Sequence, residues 1–165
     1  SVPPGLVRSR KEPHAAWSPE IAKEFVRLGN ADGRAFTQGE LQKLVYIAHG
    51  SCLAFTGTPL TGDRPEAWVH GPVYRRLADA LVACGLDAVH IETLEQCEYA
   101  NRSELNTKER ALIEQIYKEY GRREPRALAA LTREGSAPWK GVFDGGAGKN
   151  RDISHQLVKE HFLQL

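Results

Sequence analysis

The sequence is poor in cysteine, has no long apolar run, and carries charges that almost cancel. Its three cysteines, Cys52, Cys84 and Cys97, form neither a C-x-x-C pair nor an even-numbered framework. That excludes a disulfide-stapled scaffold and predicts free thiols in a reducing compartment. No stretch approaches the roughly 18–20 apolar residues that a membrane-spanning helix needs. The opening SVPPGLVRSRKEPH has no apolar signal-peptide core and reads as a ragged start. A soluble, cytoplasmic protein with no membrane partner is the expectation. With a formal net charge of +1 over 165 residues, no field of the whole molecule steers it toward nucleic acid. The charge is uneven, however. Residues 121–151 hold seven Lys/Arg against three acids, leaving the remainder net acidic.

Assembled catalytic patterns are also missing. His49 and Cys52 lie three apart on an expected helix, but a zinc site needs three or four ligands and no second pair exists. The nucleophile elbow G-x-S-x-G is absent, and helix geometry turns His49 and Ser51 to different faces. GGAGKN (145–150) fails the phosphate-loop pattern, because Phe143 stands where its first glycine belongs and Asn150 follows Lys149. It reads as a flexible connection. No enzyme, metal or cofactor emerges. For nucleic acid, the only candidate is the basic segment 121–151, with Arg122, Arg123, Arg126 and Arg133, and no recognition helix or stacking platform accompanies it.

What is present is helix grammar. Residues 1–16 lack periodicity and are expected to be poorly ordered. Ser18-Pro19-Glu20 reads as an N-cap with proline at the first helical position, followed by Ile21, Phe25 and Leu28 and a stop at Gly29. Thr37 and Glu40 have capping-box spacing and open the longest apolar pattern, Leu41, Leu44, Val45, Ala48, Cys52 and Phe55. Ile47 and Leu53 are apolar too, so this helix, about 38–56, is expected to be central and contacted on more than one side. Pro72 is read as the start of a helix with Val73, Leu77, Ala78 and Leu81 inward and Gly85 at its end. Residues 88–94 alternate as a short strand would. Asn106 and Glu109 repeat the capping logic before Leu112, Ile113, Ile116, Tyr117 and Tyr120. Short helices near Leu128–Thr132 and Pro138-Trp139 follow, and Ser154 caps a last one through Leu157, Val158, Phe162 and Leu163. The expected fold is mainly α, a compact single-domain helical bundle over residues 17–165 with at most a short β element.

Trp17, Trp68 and Trp139 stand at joints between helices, where a tryptophan serves either as a packing bolt or as a binding hot spot. For Tyr74, beside Arg75, the two readings are close. Three stretches fall in one order: LQKLVYIAHG (41–50), GTPLTGDRPEAWVHGPVYRRL (57–77) and LTREGSAPW (131–139). Together they resemble the Panacea domain of SocA-like antitoxins, often described as phage-associated proteins. The motif positions are Leu41, Lys43, Leu44, Tyr46, Trp68, Gly71, Pro72, Val73, Thr132, Pro138 and Trp139. The resemblance implies an antitoxin that neutralises a cognate toxin protein by direct contact. Two positions depart from the family: Ser51-Cys52 where an aromatic is common, and Arg133 where His often follows L-T. A rigid segment displaying His70, Tyr74 and Arg75 is the candidate contact surface. The alternative is a nucleic-acid-binding regulator using 121–151. The oligomeric state is open.

Overall fold

The structure, a computed structural model, describes residues 15–99 and 105–165. Among these residues are eight α-helices: α1 (Ser18–Asp32), α2 (Gln38–Thr56), α3 (Arg75–Leu81), α4 (Ile91–Glu95), α5 (Thr107–Tyr120), α6 (Pro125–Arg133), α7 (Pro138–Phe143) and α8 (His155–Leu163). Between α2 and α3 lie two strands, β1 (Glu66–Trp68) and β2 (Gly71–Val73), paired antiparallel. The mainly helical fold with a short β element is therefore observed.

The helix α2 forms where the capping box predicts. The Thr37 hydroxyl accepts from the Glu40 amide at 3.3 Å, and the Glu40 carboxylate accepts from the Thr37 amide at 2.9 Å. Leu41, Leu44, Val45, Tyr46, Ile47, Ala48 and Leu53 are all buried, so most of the helix circumference is covered. Its neighbours are α1, α3, α5, α6, α8 and β2. Each large side chain removed from water there contributes about 2 kcal/mol. The closest approach is to α8: at Gly50 a Cβ would come within 2.3 Å of the Phe162 ring. Phe162 in turn packs edge-on against Tyr46, with ring centroids 5.8 Å apart.

The Tyr46 hydroxyl is buried and has no hydrogen-bond partner among the described residues. Removing it leaves the packing intact and lifts a desolvation cost. Tyr46→Phe is therefore expected to raise stability by about 1 kcal/mol, read as a higher urea midpoint at unchanged slope.

Several elements differ from the sequence expectation. Ser18 is the first residue of α1 rather than its cap. Its amide and hydroxyl donate to the Asp63 carboxylate at 2.9 and 2.5 Å, tying the helix start to the loop before the hairpin. That helix continues through a buried Gly29 to Asp32 and ends at Gly33. Pro72 lies in β2, and α3 starts only at Arg75. Residues 88–94 make one bridge, Ala88 to Thr37, and then turn into α4. Phe55 is 72% exposed, and Leu157 and Leu163 also face outward; His161 joins Val158 and Phe162 on the buried side of α8. Residues 145–150 are no loose connection, because Asn150 donates its amide to Ala67 O at 2.7 Å. Of the segment expected to lack order, residues 1–14 lie outside the described residues. Ala16 is buried and bridges to Thr61.

Candidate interaction site

The motif residues converge on the hairpin β1–β2, which is braced from three directions. Its register sets Glu66 opposite Val73, Ala67 opposite Pro72 and Trp68 opposite Gly71, with Val69 and His70 at the turn. Pro72 has no amide to offer, and Ala67 does not need one from it. Ala67 donates to Arg151 O at 2.8 Å and accepts from Asn150, while Ile153 donates to Pro65 O at 2.8 Å. Residues 150–153 thus close the outer edge of the hairpin.

The inner side is held by α2. Gln42, buried in that helix, accepts from the Tyr74 amide at 2.8 Å and donates to the Tyr74 carbonyl at 3.1 Å. This fork replaces the strand neighbour that the chain would otherwise lack. Gln42→Ala leaves the Tyr74 amide buried and unpaired, while the Tyr74 carbonyl keeps the Ala78 amide at 2.9 Å, and should cost about 1–3 kcal/mol in urea unfolding. Gln42→Glu, which keeps the acceptor, should cost less.

The turn is held by α6 and α7. Trp139 donates its indole N–H to Trp68 O at 2.6 Å, and Arg133 Nη1 donates to His70 O at 3.1 Å. Gly71 has φ 134°, which disfavours any side chain, and a Cβ there would meet the Arg133 Cδ at 3.0 Å. On the strand face, the Trp68 indole N–H donates to Glu66 at 2.9 Å. Arg75 forks onto the same carboxylate at 3.1 and 2.8 Å and lies over the Trp68 ring at 5.3 Å.

Of the motif positions, Trp68, Gly71, Pro72 and Val73 build the hairpin and Trp139 holds it, while the others lie in the helices around it. Leu41, Leu44 and Tyr46 are core, Pro72 is buried in β2, and Val73 is half-buried. Thr132 is buried and donates back to Leu128 O at 3.1 Å, and Pro138 starts α7. Tyr74 is 0% exposed. It belongs to the core and not to the contact surface, because the residue before α3 is drawn inward by Gln42. His70 and Arg75 remain exposed, together with Val69 at 48%. Gln42 escaped the sequence reading although it stands in L-Q-K-L; its signal was a polar residue inside an apolar stripe.

His49 is fully buried in α2. Its Nδ1 accepts from the Leu60 and Thr61 amides, both at 3.3 Å. Backbone amides only donate, so the proton sits on Nε2 and points to His155 Nδ1 at 3.2 Å. Burial, with His155 beside it, pushes His49 down to about 3. The Cys52 thiol lies 3.6 Å from the Thr56 hydroxyl, away from that network. Among the described residues, no three His, Cys, Asp or Glu side chains cluster as metal ligands do. The basic segment is dispersed: Arg122 pairs with Asp32 at 3.8 Å, Arg123 pairs with Glu119 at 3.9 Å, and Arg133 serves the hairpin.

The fold thus spends aromatic, amide and guanidinium groups of α2, α6 and α7 on fixing one short hairpin. The chain belongs to the antitoxin SocA-like, Panacea domain family, whose pattern matches residues 41–140. It is similar to the antitoxin SocA of Caulobacter vibrioides (strain NA1000 / CB15N), 26% identical over 130 residues, covering 74% of this chain and 69% of that protein. No solved structure matches. No helix among the described residues is long and apolar enough to cross a membrane.

Proposed function

We propose that this protein is a cytoplasmic antitoxin that neutralises a cognate toxin by direct protein–protein binding and catalyses no reaction, with residues 17–165 acting as one domain. The observation that carries the reading is the braced hairpin, whose turn residues Val69 and His70 stand exposed while α2, α6 and α7 hydrogen-bond its backbone. A surface fixed before docking loses little entropy when a partner arrives. Its position on the family's motif residues, and the name of the SocA relative, support the same reading.

The test is co-expression with the product of the adjacent gene. That product alone should arrest growth, co-expression should restore it, and the two proteins should co-purify. Val69→Asp should leave the fold unchanged by circular dichroism and weaken co-purification. A harmless neighbour that does not bind would count against the proposal.

A further inference from the structure

An apolar groove lies open between the end of α2, the loop that follows it and the start of α5. It encloses about 840 Å³, and Ala15, Cys52, Phe55, Pro59, Ala111 and Leu112 supply its apolar lining. Phe55 continues the apolar stripe of α2 and is nevertheless 72% exposed. A soluble monomer seldom leaves a continuous apolar surface bare unless something is meant to cover it.

The direction of the chain itself says what comes to hand. Ala16 forms a parallel bridge with Thr61, and its carbonyl accepts from the Gly62 amide at 2.7 Å. Strands of a parallel pair run the same way. A chain continued backward from Ala15 in that direction runs alongside Pro59 and Thr58, which form one wall of the groove. Ala15 is the first described residue and is itself part of the lining. Residues 1–14 lie outside the described residues, and their sequence is SVPPGLVRSRKEPH. Its apolar residues, Val2, Pro3, Pro4, Leu6 and Val7, gather in its first half. At about 3.3–3.6 Å per residue, Leu6 and Val7 have a tether of up to about 30 Å from Ala15, which is ample to cross a cavity of this volume. Prolines at positions 3, 4 and 13 restrict the free chain, so less conformational freedom is lost when it settles.

We propose that residues 1–14 dock in this groove, running back along Pro59 and Thr58 and laying Leu6 and Val7 over Phe55 and Leu112. The occupant is then part of the same chain, and the apolar end of α2 is closed to outside partners. The inference does not depend on what the hairpin binds.

Thiol protection tests it in the full chain. Gln115 lines the groove from α5 and is exposed. With Cys52→Ala, Cys84→Ser and Cys97→Ser in place, a Gln115→Cys thiol should react with N-ethylmaleimide about tenfold more slowly than a Leu86→Cys thiol. Leu86 is 93% exposed, and its neighbour Gly85 accepts from Gln38 at the opposite end of α2. Adding Leu6→Asp with Val7→Asp should raise the Gln115→Cys rate about tenfold and leave the Leu86→Cys rate alone. If circular dichroism shows that the Asp pair does not fold, Leu6→Ala with Val7→Ala should still raise the rate about threefold. A slow Gln115→Cys that these variants leave unchanged means that the groove's own walls protect it, and the inference falls. Protection that grows with protein concentration, together with dimers in sedimentation, assigns the groove to a second copy and overturns the proposal. Protection that appears only when the adjacent gene's product is added assigns it to that partner and overturns the proposal likewise. Equal rates at positions 115 and 86 under every condition mean that the groove stays open.

Discussion

Gly50→Ala is expected to lower the melting temperature by about 6 °C. The methyl group would lie 2.3 Å from two atoms of the Phe162 ring, so α2 and α8 cannot keep their spacing. Two effects compete. Alanine favours the helix over glycine by about 1 kcal/mol. Overpacking costs about 1–3 kcal/mol, and a displaced phenylalanine forfeits part of the 3–5 kcal/mol that its truncation would cost. The steric effect wins, leaving a net loss of about 2 kcal/mol, which for a chain of this length is a shift of several degrees. A Phe162→Ala background reverses the sign. With the ring gone, Gly50→Ala should become stabilising, and the double-mutant cycle should show a coupling well above experimental error. An unchanged melting temperature in the single variant would mean that the helices are not packed at this distance.

Acidification should destabilise the protein through His49. Its folded-state value, about 3, lies below the ordinary 6.5, so the unfolded chain binds the proton more readily between those values. Stability is full above pH 6.5 and is lost as pH falls toward 3. Between pH 6.5 and 5 the loss from this group is about 2 kcal/mol. Burial also lowers His161, which acts in the same direction, and raises Asp63, which acts in the opposite one. The difference between wild type and His49→Gln isolates His49, because both chains keep the other two groups. His49→Gln should be less stable at pH 7.5, where the two amides and His155 lose their acceptor and donor. The gap should narrow as pH falls. A constant gap from pH 7.5 to 5 would show that the imidazole is not held neutral.

The helices were legible where a local device writes them. Thr37 with Glu40 and Asn106 with Glu109 both cap helices that start where spacing says, since each box closes within four residues. Pro125 and Pro138 likewise begin helices, and Pro19 is the second residue of α1. Pro72 carried the same local signal and begins none. Its fixed φ suits a strand edge equally well, and what decides between them is Gln42, which holds Tyr74 from thirty-two residues away. The segment 145–150 looked loose for a related reason. Glycine content reports what a chain can do alone, whereas the bond of Asn150 to Ala67 is set by tertiary packing. Phe55 shows the limit of periodicity, because a helical face continues past the last neighbour that covers it. At the site, the aromatic and proline positions stood out in the sequence. The inward turn of Tyr74 did not, since nothing local distinguishes a tyrosine under a glutamine fork from one facing water.

The two indoles at the hairpin give the molecule a built-in optical reporter. Trp139 donates to the backbone of Trp68, and each ring has a guanidinium above it. Fluorescence from such rings is sensitive to local field and hydration, so a polypeptide settling over the turn should change emission without any attached dye. Trp17, which contacts Arg76 and Tyr99 and not the turn's backbone, contributes emission of its own, and Trp17→Phe would remove that contribution.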